Sequence, residues 1–396
     1  MFKKVSGEGK EEVFLCLHIN PKAPSGIKYI TEGGDIMQDI KDMPCWFLGA
    51  NAPKGYYSKF DQLFRPFSGG RLFLLKGGPG TGKSTFLKKF AGILAEKGFE
   101  PELVFCSADP KSLDAVMTSD GKYAAADATL PHPSEPKYPG AYETVISLSD
   151  FWNGEKLFEH RKEIIALSDA NRKLHEEARR YISSAAALLD EAARLGMDSV
   201  FQEKTEKAAL RLCSKEFGRK RPQKGFEKQR FLSAITEEGV FFFNETPKIL
   251  CERIYLLDDD IGAVTRIFMN TVRKSALENG LDIITCRCPV FPSEKIEHIF
   301  IPSLKIGFMT LNRRHKIKIT PYRTIHWGRF TDRKKYALHK IRIRFALRNA
   351  KKLIDEAALC IKEAKKVHDE LESYYIEAMD FSLAEEKFKT AVKSIL

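Results

Sequence analysis

The residues best suited to chemistry form a glycine-rich run that ends in a lysine and a hydroxyl. Residues 77–84 fit the pattern G-x-x-x-x-G-K-[ST], in which successive backbone N–H groups and a helix N-terminus surround phosphate groups. In this pattern Lys83 reaches the β- and γ-phosphates, and Ser84 places its hydroxyl on Mg²⁺. The predicted nucleotide-binding residues are Gly77, Gly78, Pro79, Gly80, Thr81, Gly82, Lys83, Ser84 and Thr85.

A carboxylate further along the chain completes the predicted metal site. Asp127 ends the predicted strand 122–127, and this type of fold holds Mg²⁺ through its water shell at the carboxyl end of such a strand. The alternative is an aspartate that only starts a turn or caps a helix. A second, degenerate copy of the motif occurs later in the chain, and the residue that corresponds to Asp127 there is Thr310. Because the loop lysine is lost from that copy as well, we favour Ser84 and Asp127 as the metal-binding pair.

The sequence leaves the catalytic base open. The residue after Asp127 is an alanine, whereas nucleotide hydrolases often have a glutamate there. Asp109 follows the second predicted strand and Glu135 follows the third, so both are candidates beside the catalytic cation Lys83. His132 lies in the same segment, but its counterpart His315 is retained in the second copy. For His132 we therefore favour a structural, hydrogen-bonded role.

The chain contains a second, degenerate copy of the strand and loop. Residues 253–257 repeat residues 71–75 almost residue for residue. In the same register, the last glycine, the lysine and the serine of the motif are replaced by Val264, Thr265 and Arg266. Three successive aspartates begin this second loop and would repel a polyanion. The sequence therefore predicts a single nucleotide site.

The elements around each copy predict an α/β fold. Each copy reads as strand, loop, helix, strand, short helix and strand, followed by a long helical segment. Residues 155–195 and 333–376 are rich in Ala, Leu, Glu, Lys and Arg and lack proline, which is typical of long helices. We therefore predict a P-loop NTPase parallel sheet, duplicated in tandem, with long helices after each copy.

The repeat divides the chain into five segments. Residues 1–46 form an N-terminal extension, in which one extra strand is predicted at 13–19. The other segments are the first repeat at 47–150, a helical segment and linker at 151–228, the degenerate repeat at 229–330 and a C-terminal helical segment at 331–396.

Composition excludes several classes of protein. The sequence has no run of about eighteen apolar residues that could cross a membrane, and its start lacks the apolar segment of a secretory signal. The eight cysteines are scattered without metal-ligand or C-x-x-C spacing, which indicates reduced thiols. We therefore expect a cytoplasmic protein without a membrane partner.

The positive charge is concentrated in one stretch. Residues 313–352 contain fifteen Lys or Arg and one acid, whereas the whole chain has a net charge of +12. Among these cations stand the aromatic residues Tyr322, Trp327, Phe330 and Tyr336. Because phosphates bind to Lys and Arg and bases stack on aromatic rings, the stretch predicts contact with nucleic acid or an acidic partner. The alternative is a solvated helix face.

Residues 47–61, 76–85, 106–110 and 127–140 together resemble a family of uncharacterised bacterial ATP-binding proteins with tandem P-loop domains. The resemblance covers nearly everything after residue 45, and it implies ATP as the nucleotide. In that family the second repeat often keeps its own loop. The degenerate second loop of this chain is a departure, and it argues against a mechanism with two nucleotide sites.

These observations favour a Mg²⁺-dependent ATPase in which the first repeat holds ATP and the second repeat is a scaffold or partner surface. One alternative is a small-molecule or nucleotide kinase, because residues 77–80 also open such loops. However, no arginine-rich lid follows the third predicted strand of the first repeat. Another alternative is a nucleic-acid-binding module that a bound nucleotide switches.

Overall fold

The computed structural model describes residues 42–132, 135–312 and 317–393. The strand predicted at 13–19 lies outside the described residues, as does His315. The described chain forms two six-stranded sheets, mostly parallel, together with helices and two small hairpins. The predicted α/β class is confirmed.

The first sheet carries the predicted loop. Its elements are β1 (Cys45–Trp46), β2 (Gly49–Ala52), β3 (Gly55–Ser58), β4 (Arg71–Lys76), α1 (Lys83–Glu96), β5 (Pro101–Phe105), β6 (Leu113–Thr118), β7 (Tyr123–Asp127) and β8 (Glu143–Ser147). The strand order is β1-β5-β6-β7-β4-β8, and β2 pairs with β3 in a separate hairpin. Strand β6 runs antiparallel to both of its neighbours, and the other pairs are parallel.

Three helices follow the first sheet, and the second sheet comes next. These helices are α2 (Gly154–Glu159), α3 (Arg161–Met197) and α4 (Gln202–Glu216). The second sheet and its connections comprise β9 (Glu227–Arg230), β10 (Ser233–Thr236), β11 (Gly239–Phe242), α5 (Thr246–Leu250), β12 (Arg253–Asp258), α6 (Ala263–Glu278), β13 (Ile283–Arg287), β14 (Ile296–Ile301), β15 (Ile306–Leu311) and β16 (Arg323–His326). The helices α7 (Arg333–Ala378) and α8 (Phe381–Val392) end the described chain.

The second sheet has the same architecture as the first. Its order is β9-β13-β14-β15-β12-β16, with β10 and β11 as the separate hairpin and β14 as the antiparallel strand. Leu75 pairs with Asp127 in the first sheet, and Leu257 pairs with Thr310 in the second. The structure therefore confirms that Thr310 occupies the place of Asp127.

The prediction of a short helix between the second and third strands of each repeat is wrong. Strands β6 and β14 occupy these positions, so neither sheet is fully parallel. Every residue of both strands is buried. Because both faces are covered, these strands lack the alternation of apolar and polar residues that identifies a strand in a sequence.

The structure also corrects the register within the second loop. Helix α1 begins after Gly82 and α6 begins after Gly262, each glycine with a φ near 80° in the left-handed region. The second loop, residues 259–262, is two residues shorter than the first loop, residues 77–82. The last glycine is therefore retained as Gly262, and Ala263, not Thr265, takes the place of the lysine.

The two halves meet through matching residues. Phe47 directly follows β1, and Phe231 directly follows β9. These two residues exchange two backbone hydrogen bonds, each 2.9 Å long. A contact in which equivalent residues bind each other is the pattern of a two-fold interface. The halves are thus arranged as a dimer within one chain.

The helical segments obey the same symmetry. The Asn153 N–H, before α2, donates to the Ala378 carbonyl at the end of α7. The Asp332 N–H, before α7, donates to the Ser199 carbonyl just after α3, and both bonds are 2.7 Å long. Each long helix therefore starts at its own sheet and ends at the sheet of the other half.

The helices α3 and α7 confirm the predicted long helices and pack against each other. The Asn171 amide of α3 donates to the Ala364 carbonyl of α7, whereas Ala192 packs near Ile343. The pair is therefore antiparallel. Buried residues of α7 recur every seven positions, which is typical of a coiled-coil seam; they are Ile343, Ala350, Ala357 and Ala364. Among the described helices, none is long and apolar enough to cross a membrane.

Candidate functional site

The predicted loop connects β4 to α1 at the carboxyl end of the parallel strands. Gly80 and Gly82 have φ values of 67° and 84°, a region that residues with a Cβ rarely adopt. The Thr81 hydroxyl donates to the Gly78 carbonyl at 2.9 Å, and Thr81 is buried. Pro79 is half-buried. The path of the backbone therefore requires glycine at two positions of the motif.

Lys83 lies inside this loop. Its Nζ donates to the carbonyls of Gly77 at 2.9 Å and Gly78 at 2.6 Å. The same nitrogen is 3.7 Å from Asp127 Oδ2, and both side chains are largely buried. The pairing of β4 with β7 brings Leu75 next to Asp127 and so places the carboxylate beside the loop. The structure thus brings together the predicted cation and the predicted metal-binding acid.

The oxygen atoms predicted to hold Mg²⁺ are engaged in local hydrogen bonds. Ser84 Oγ accepts from the Leu113 N–H at 3.0 Å. Asp127 Oδ1 accepts from the N–H of Thr129 at 2.8 Å and from its hydroxyl at 2.5 Å. Thr85 is exposed. The described residues contain no group of three or more His, Cys, Asp or Glu that could hold a metal. Because Mg²⁺ usually takes only one or two protein ligands together with phosphates and water, Ser84 and Asp127 fit that ion.

The C-terminal end of α7 lies directly on the loop. The Gly80 N–H donates to Glu372 Oε1 at 3.2 Å. His368 Nε2 is 3.4 Å from the same oxygen. The hydrogen bond from His368, and secondarily the one from Gly80, hold the pKa of Glu372 below its usual value. A Cβ at Gly80 would lie 2.8 Å from the Glu372 carbonyl oxygen and 2.9 Å from Ile376. The carboxylate of Glu372, which belongs to the second half, therefore accepts the hydrogen bond from an N–H group of the loop.

Aromatic side chains extend this cover. The rings of Trp152 and Tyr375 lie 5.5 Å apart, and a Cβ at Gly78 would be 3.2 Å from the first and 3.0 Å from the second. Further along, Phe388 of α8 packs edge-on against Phe86 of α1 at 4.6 Å. The ends of α7 and α8 therefore cover both the loop and the helix that follows it.

The two acids predicted as bases each have a cation of their own. Asp109 Oδ2 is 3.5 Å from Lys365 Nζ of α7, and its Oδ1 accepts from the Lys111 N–H at 3.0 Å. Glu135 Oε1 is 2.7 Å from Lys76 Nζ, and the Glu135 side chain is 82% exposed. The structure thus places Asp109 against the long helix and Glu135 on the surface at the end of β4.

Sequence reasoning missed a further acid, Asp114. It precedes Ala115 in β6, which pairs with Ala126 of β7, so Asp114 and Asp127 face each other across two antiparallel strands. Residues placed in this way have Cβ atoms about 5 Å apart. Asp114 is 5% exposed. The signal in the sequence was an acid in an apolar segment, and the prediction of a helix there hid its position.

A buried histidine holds Asp114. His132 Nε2 is 3.3 Å from Asp114 Oδ2, and His132 Nδ1 shares a hydrogen bond of 2.6 Å with the Tyr56 hydroxyl. Phe60 packs against the imidazole at 4.6 Å. Burial raises the pKa of Asp114 to about 6, His132 opposes this rise, and the charge of Asp127 adds to it. His132 is buried and hydrogen-bonded, in agreement with the role favoured from the sequence.

In the second half, a side chain of the chain itself fills the corresponding loop. Asp259 Oδ1 accepts from the N–H groups of Ile261 at 3.2 Å and Gly262 at 2.9 Å. Its Oδ2 accepts from the Thr265 N–H at 2.8 Å. Asp259 is 2% exposed. The Asp259 carboxylate therefore binds the amides at the helix start, and the expected repulsion of a polyanion stays a prediction.

The other charges of the second site are also paired internally. Lys295 Nζ is 3.1 Å from Glu297 Oε1, and both residues are buried. A Cβ at Gly262 would lie 3.1 Å from the same Nζ.

The end of α3 covers the second loop with small residues, since a Cβ at Gly196 would meet Ile261 at 2.7 Å. Ser199 and Ala378 are matching residues at the ends of α3 and α7. The residue six positions earlier is Ala193 in the first case and Glu372 in the second. Thus only the first half has a carboxylate at this position of the cover.

Three aromatic residues of the basic stretch are packed within the protein, whereas Tyr322 and Phe345 are each 56% exposed. Phe330 is buried, and the rings of Trp327 and Tyr336 meet at 4.8 Å and 65°. An open cavity of about 410 Å³ adjoins these two rings. It is lined by Asp258, His326, Trp327, Gly328, Thr331, Arg333, Tyr336, Ala337 and Lys340. Residues 313–316 of the stretch lie outside the described residues.

In comparisons with protein-family models, with curated proteins and with solved structures, nothing matches this chain. The candidate function therefore depends on the geometry of the loop and its surroundings.

Proposed function

We propose that the first half binds ATP with Mg²⁺ and hydrolyses it. The observation that carries the proposal is the position of Lys83, whose ammonium lies between two loop carbonyls and Asp127 at the start of α1. This arrangement supports a P-loop, because a glycine-dependent backbone, a helix N-terminus and a lysine converge at one place that suits phosphates. The loop reads phosphates only, and the resemblance noted above is what suggests adenine.

Each residue would have a defined role. The loop amides and Lys83 would bind the β- and γ-phosphate oxygens, with Lys83 exchanging the carbonyls of Gly77 and Gly78 for them. Ser84 and Asp127 would hold the metal, directly or through water. Bound Mg²⁺ would neutralise charge on the β- and γ-phosphates.

Asp114 is the proposed proton acceptor. It is buried opposite Asp127, and His132, whose Nδ1 shares a hydrogen bond with the Tyr56 hydroxyl, has its Nε2 3.3 Å from Asp114 Oδ2. In hydrolysis, water would attack the γ-phosphorus and give a proton to Asp114. The bond from phosphorus to the bridging oxygen would break, and ADP and phosphate would leave. Asp109 and Glu135 already have cationic partners in Lys365 and Lys76, which makes them weaker candidates.

Access to the loop would require movement of α7. Glu372 accepts the Gly80 N–H, an amide that a phosphate oxygen would need. A carboxylate and a phosphate cannot share that donor without repulsion. ATP binding would therefore displace Glu372, and the end of the helix would report whether nucleotide is bound.

The second half is proposed as a scaffold without nucleotide. Asp259 satisfies its loop amides, Ala263 replaces the lysine and Thr310 replaces the metal-binding acid. A ligand would have to displace a buried carboxylate that holds three backbone hydrogen bonds. We therefore expect one ATP per chain.

The decisive experiment compares Mg-ATP binding and phosphate release for the wild type, Lys83→Ala and the exposed control Lys97→Ala. We expect Lys83→Ala to lose about 10²-fold or more of its activity, with Lys97→Ala unchanged and both variants melting like the wild type. Equal phosphate release from all three proteins would overturn the proposal. Transfer of the γ-phosphate to an added acceptor, with none to water, would replace hydrolysis by a kinase activity at the same site.

A further inference from the structure

Three large apolar side chains of α7 lie on the surface in one line. Leu338, Ile341 and Phe345 are 79%, 82% and 56% exposed. Their spacing of three and four residues places them on one side of the helix. Ile343 and Ala346 of the same segment are buried on the opposite side, towards α3. The exposed line, here called the outer ridge, is therefore not needed for packing of the helix pair.

Cations surround the outer ridge. Residues 333–352 contain no Asp or Glu. Their basic residues are Arg333, Lys334, Lys335, Lys340, Arg342, Arg344, Arg348, Lys351 and Lys352. In the first half, the matching start of the helical segment, residues 154–173, has four acids and five bases. The strongly basic surface therefore belongs to one helix only and is not imposed by the shared fold.

The exposed residues favour a lipid surface over nucleic acid. Nucleic-acid surfaces pair cations with aromatic rings on which bases can stack. Here Phe330 is buried, and Trp327 and Tyr336 meet edge-on. Tyr322 is 56% exposed but packs edge-on against Tyr255 at 5.5 Å. Two of the three ridge residues are aliphatic. Leu, Ile and Phe beside Lys and Arg suit the boundary between phospholipid headgroups and acyl chains, where the apolar groups enter and the cations meet the phosphates.

We propose that the outer ridge of α7 docks on the surface of a bilayer that contains anionic phospholipid. The opposite face of α7 stays packed on α3, so the ridge meets the membrane as a line of apolar residues between cations. The contact is peripheral, since no described helix could span a bilayer. This proposal departs from the sequence-based expectation of no membrane partner, because only the structure shows which side of α7 is exposed. It does not depend on the proposed ATPase activity.

The test is co-sedimentation of the full chain with vesicles of phosphatidylglycerol and phosphatidylcholine, and with vesicles of phosphatidylcholine alone. We expect binding to the anionic vesicles only. The triple variant Leu338→Ser, Ile341→Ser, Phe345→Ser should weaken that binding by about tenfold or more, and Arg342→Glu with Arg344→Glu should do the same. The matched control is Leu359→Ser, which changes an exposed leucine of α7 outside the basic stretch.

Several outcomes would overturn the proposal. In the first, the charge reversals abolish vesicle binding, but the triple serine variant still binds like the wild type. That result would indicate a purely electrostatic surface. In that case single-stranded DNA, titrated in parallel, identifies nucleic acid if the same charge reversals abolish its binding. A second is no binding of the wild type to anionic vesicles. Thermal unfolding of each variant, with a midpoint near that of the wild type, ensures that lost binding is not lost folding.

Discussion

The Gly80 N–H donates a hydrogen bond of 3.2 Å to Glu372 Oε1, although 292 residues separate them in the chain. The first residue belongs to the glycine-rich loop of the first half, and the second belongs to the long helix that follows the second sheet. Because each long helix ends at the opposite sheet, this contact joins the candidate site to the other half of the molecule. In the second half, the equivalent of Glu372 is Ala193, and Asp259 provides a carboxylate to that loop instead.

Removal of the Glu372 carboxylate should strengthen nucleotide binding. Glu372→Ala frees the Gly80 N–H and removes a negative charge close to the phosphates, so we expect the affinity for Mg-ATP to rise about fivefold to tenfold. Isothermal titration calorimetry measures the change, with Glu370→Ala, an exposed acid of the same helix, as the matched control. Weaker binding by Glu372→Ala than by the control would instead make Glu372 part of the bound state.

Substitution of Asp114 should slow hydrolysis without loss of ATP binding. Asp114→Asn keeps the shape of the side chain but removes the proton acceptor, so kcat should fall by about 10²-fold to 10⁴-fold. The matched variants are Asp109→Asn and Glu135→Gln, for which we expect changes smaller than about fivefold. Steady-state phosphate release decides among the three acids. A large loss in either matched variant, with Asp114→Asn fully active, would move the base to that residue.

The buried Asp114 should also make stability depend on pH. Burial raises its pKa in the folded protein from 3.8 to about 6, while His132 lowers it and Asp127 raises it. Cys106 and Lys83 also act on this carboxyl group. Since the folded pKa lies above the unfolded value, the contribution is fully present below about pH 4 and is lost as the pH rises through about 6.

The rise of the Asp114 pKa from 3.8 to about 6 corresponds to about 3 kcal/mol in the free energy of unfolding. Denaturant unfolding of the wild type and Asp114→Asn between pH 4 and pH 7 measures this contribution. The difference in the free energy of unfolding between the two proteins should change by about 3 kcal/mol between about pH 4 and pH 7. The wild type should lose stability relative to Asp114→Asn as the pH rises. A constant difference would show that Asp114 titrates at its ordinary pKa.

Loss of the Asp259 carboxylate should destabilise the fold without creating a second nucleotide site. Asp259→Ala leaves three backbone N–H groups of the second loop without their acceptor, which should cost about 2–4 kcal/mol in the free energy of unfolding. Asp258→Ala, which removes a more exposed carboxylate 3.2 Å from His326, should cost less than about 1 kcal/mol. Denaturant unfolding gives both values. Calorimetry of Asp259→Ala should still give one ATP per chain, and a value of two would contradict the scaffold role of the second half.

The sequence was sufficient to predict the loop, the α/β class and the position of Asp127 beside the loop. These features depend on local requirements that are visible in one stretch of chain. Left-handed backbone needs glycine at Gly80 and Gly82, and a buried strand must precede the loop. Segments rich in Ala, Leu, Glu, Lys and Arg without proline favour long helices. Thr310 was recognised as the counterpart of Asp127 because the two copies of the repeat align at a nearly constant offset along the chain.

Tertiary structure alone decided the direction of β6, the role of Asp259 and the cover formed by α7. A strand buried on both faces has no alternation that separates it from a short helix, so Asp114 was not recognised. Asp259 looks like a solvated acid until the shorter loop folds around it. The contact of Glu372 with Gly80 arises because two half-molecules pack about a two-fold axis, and no pattern within either half specifies which distant side chain meets the loop.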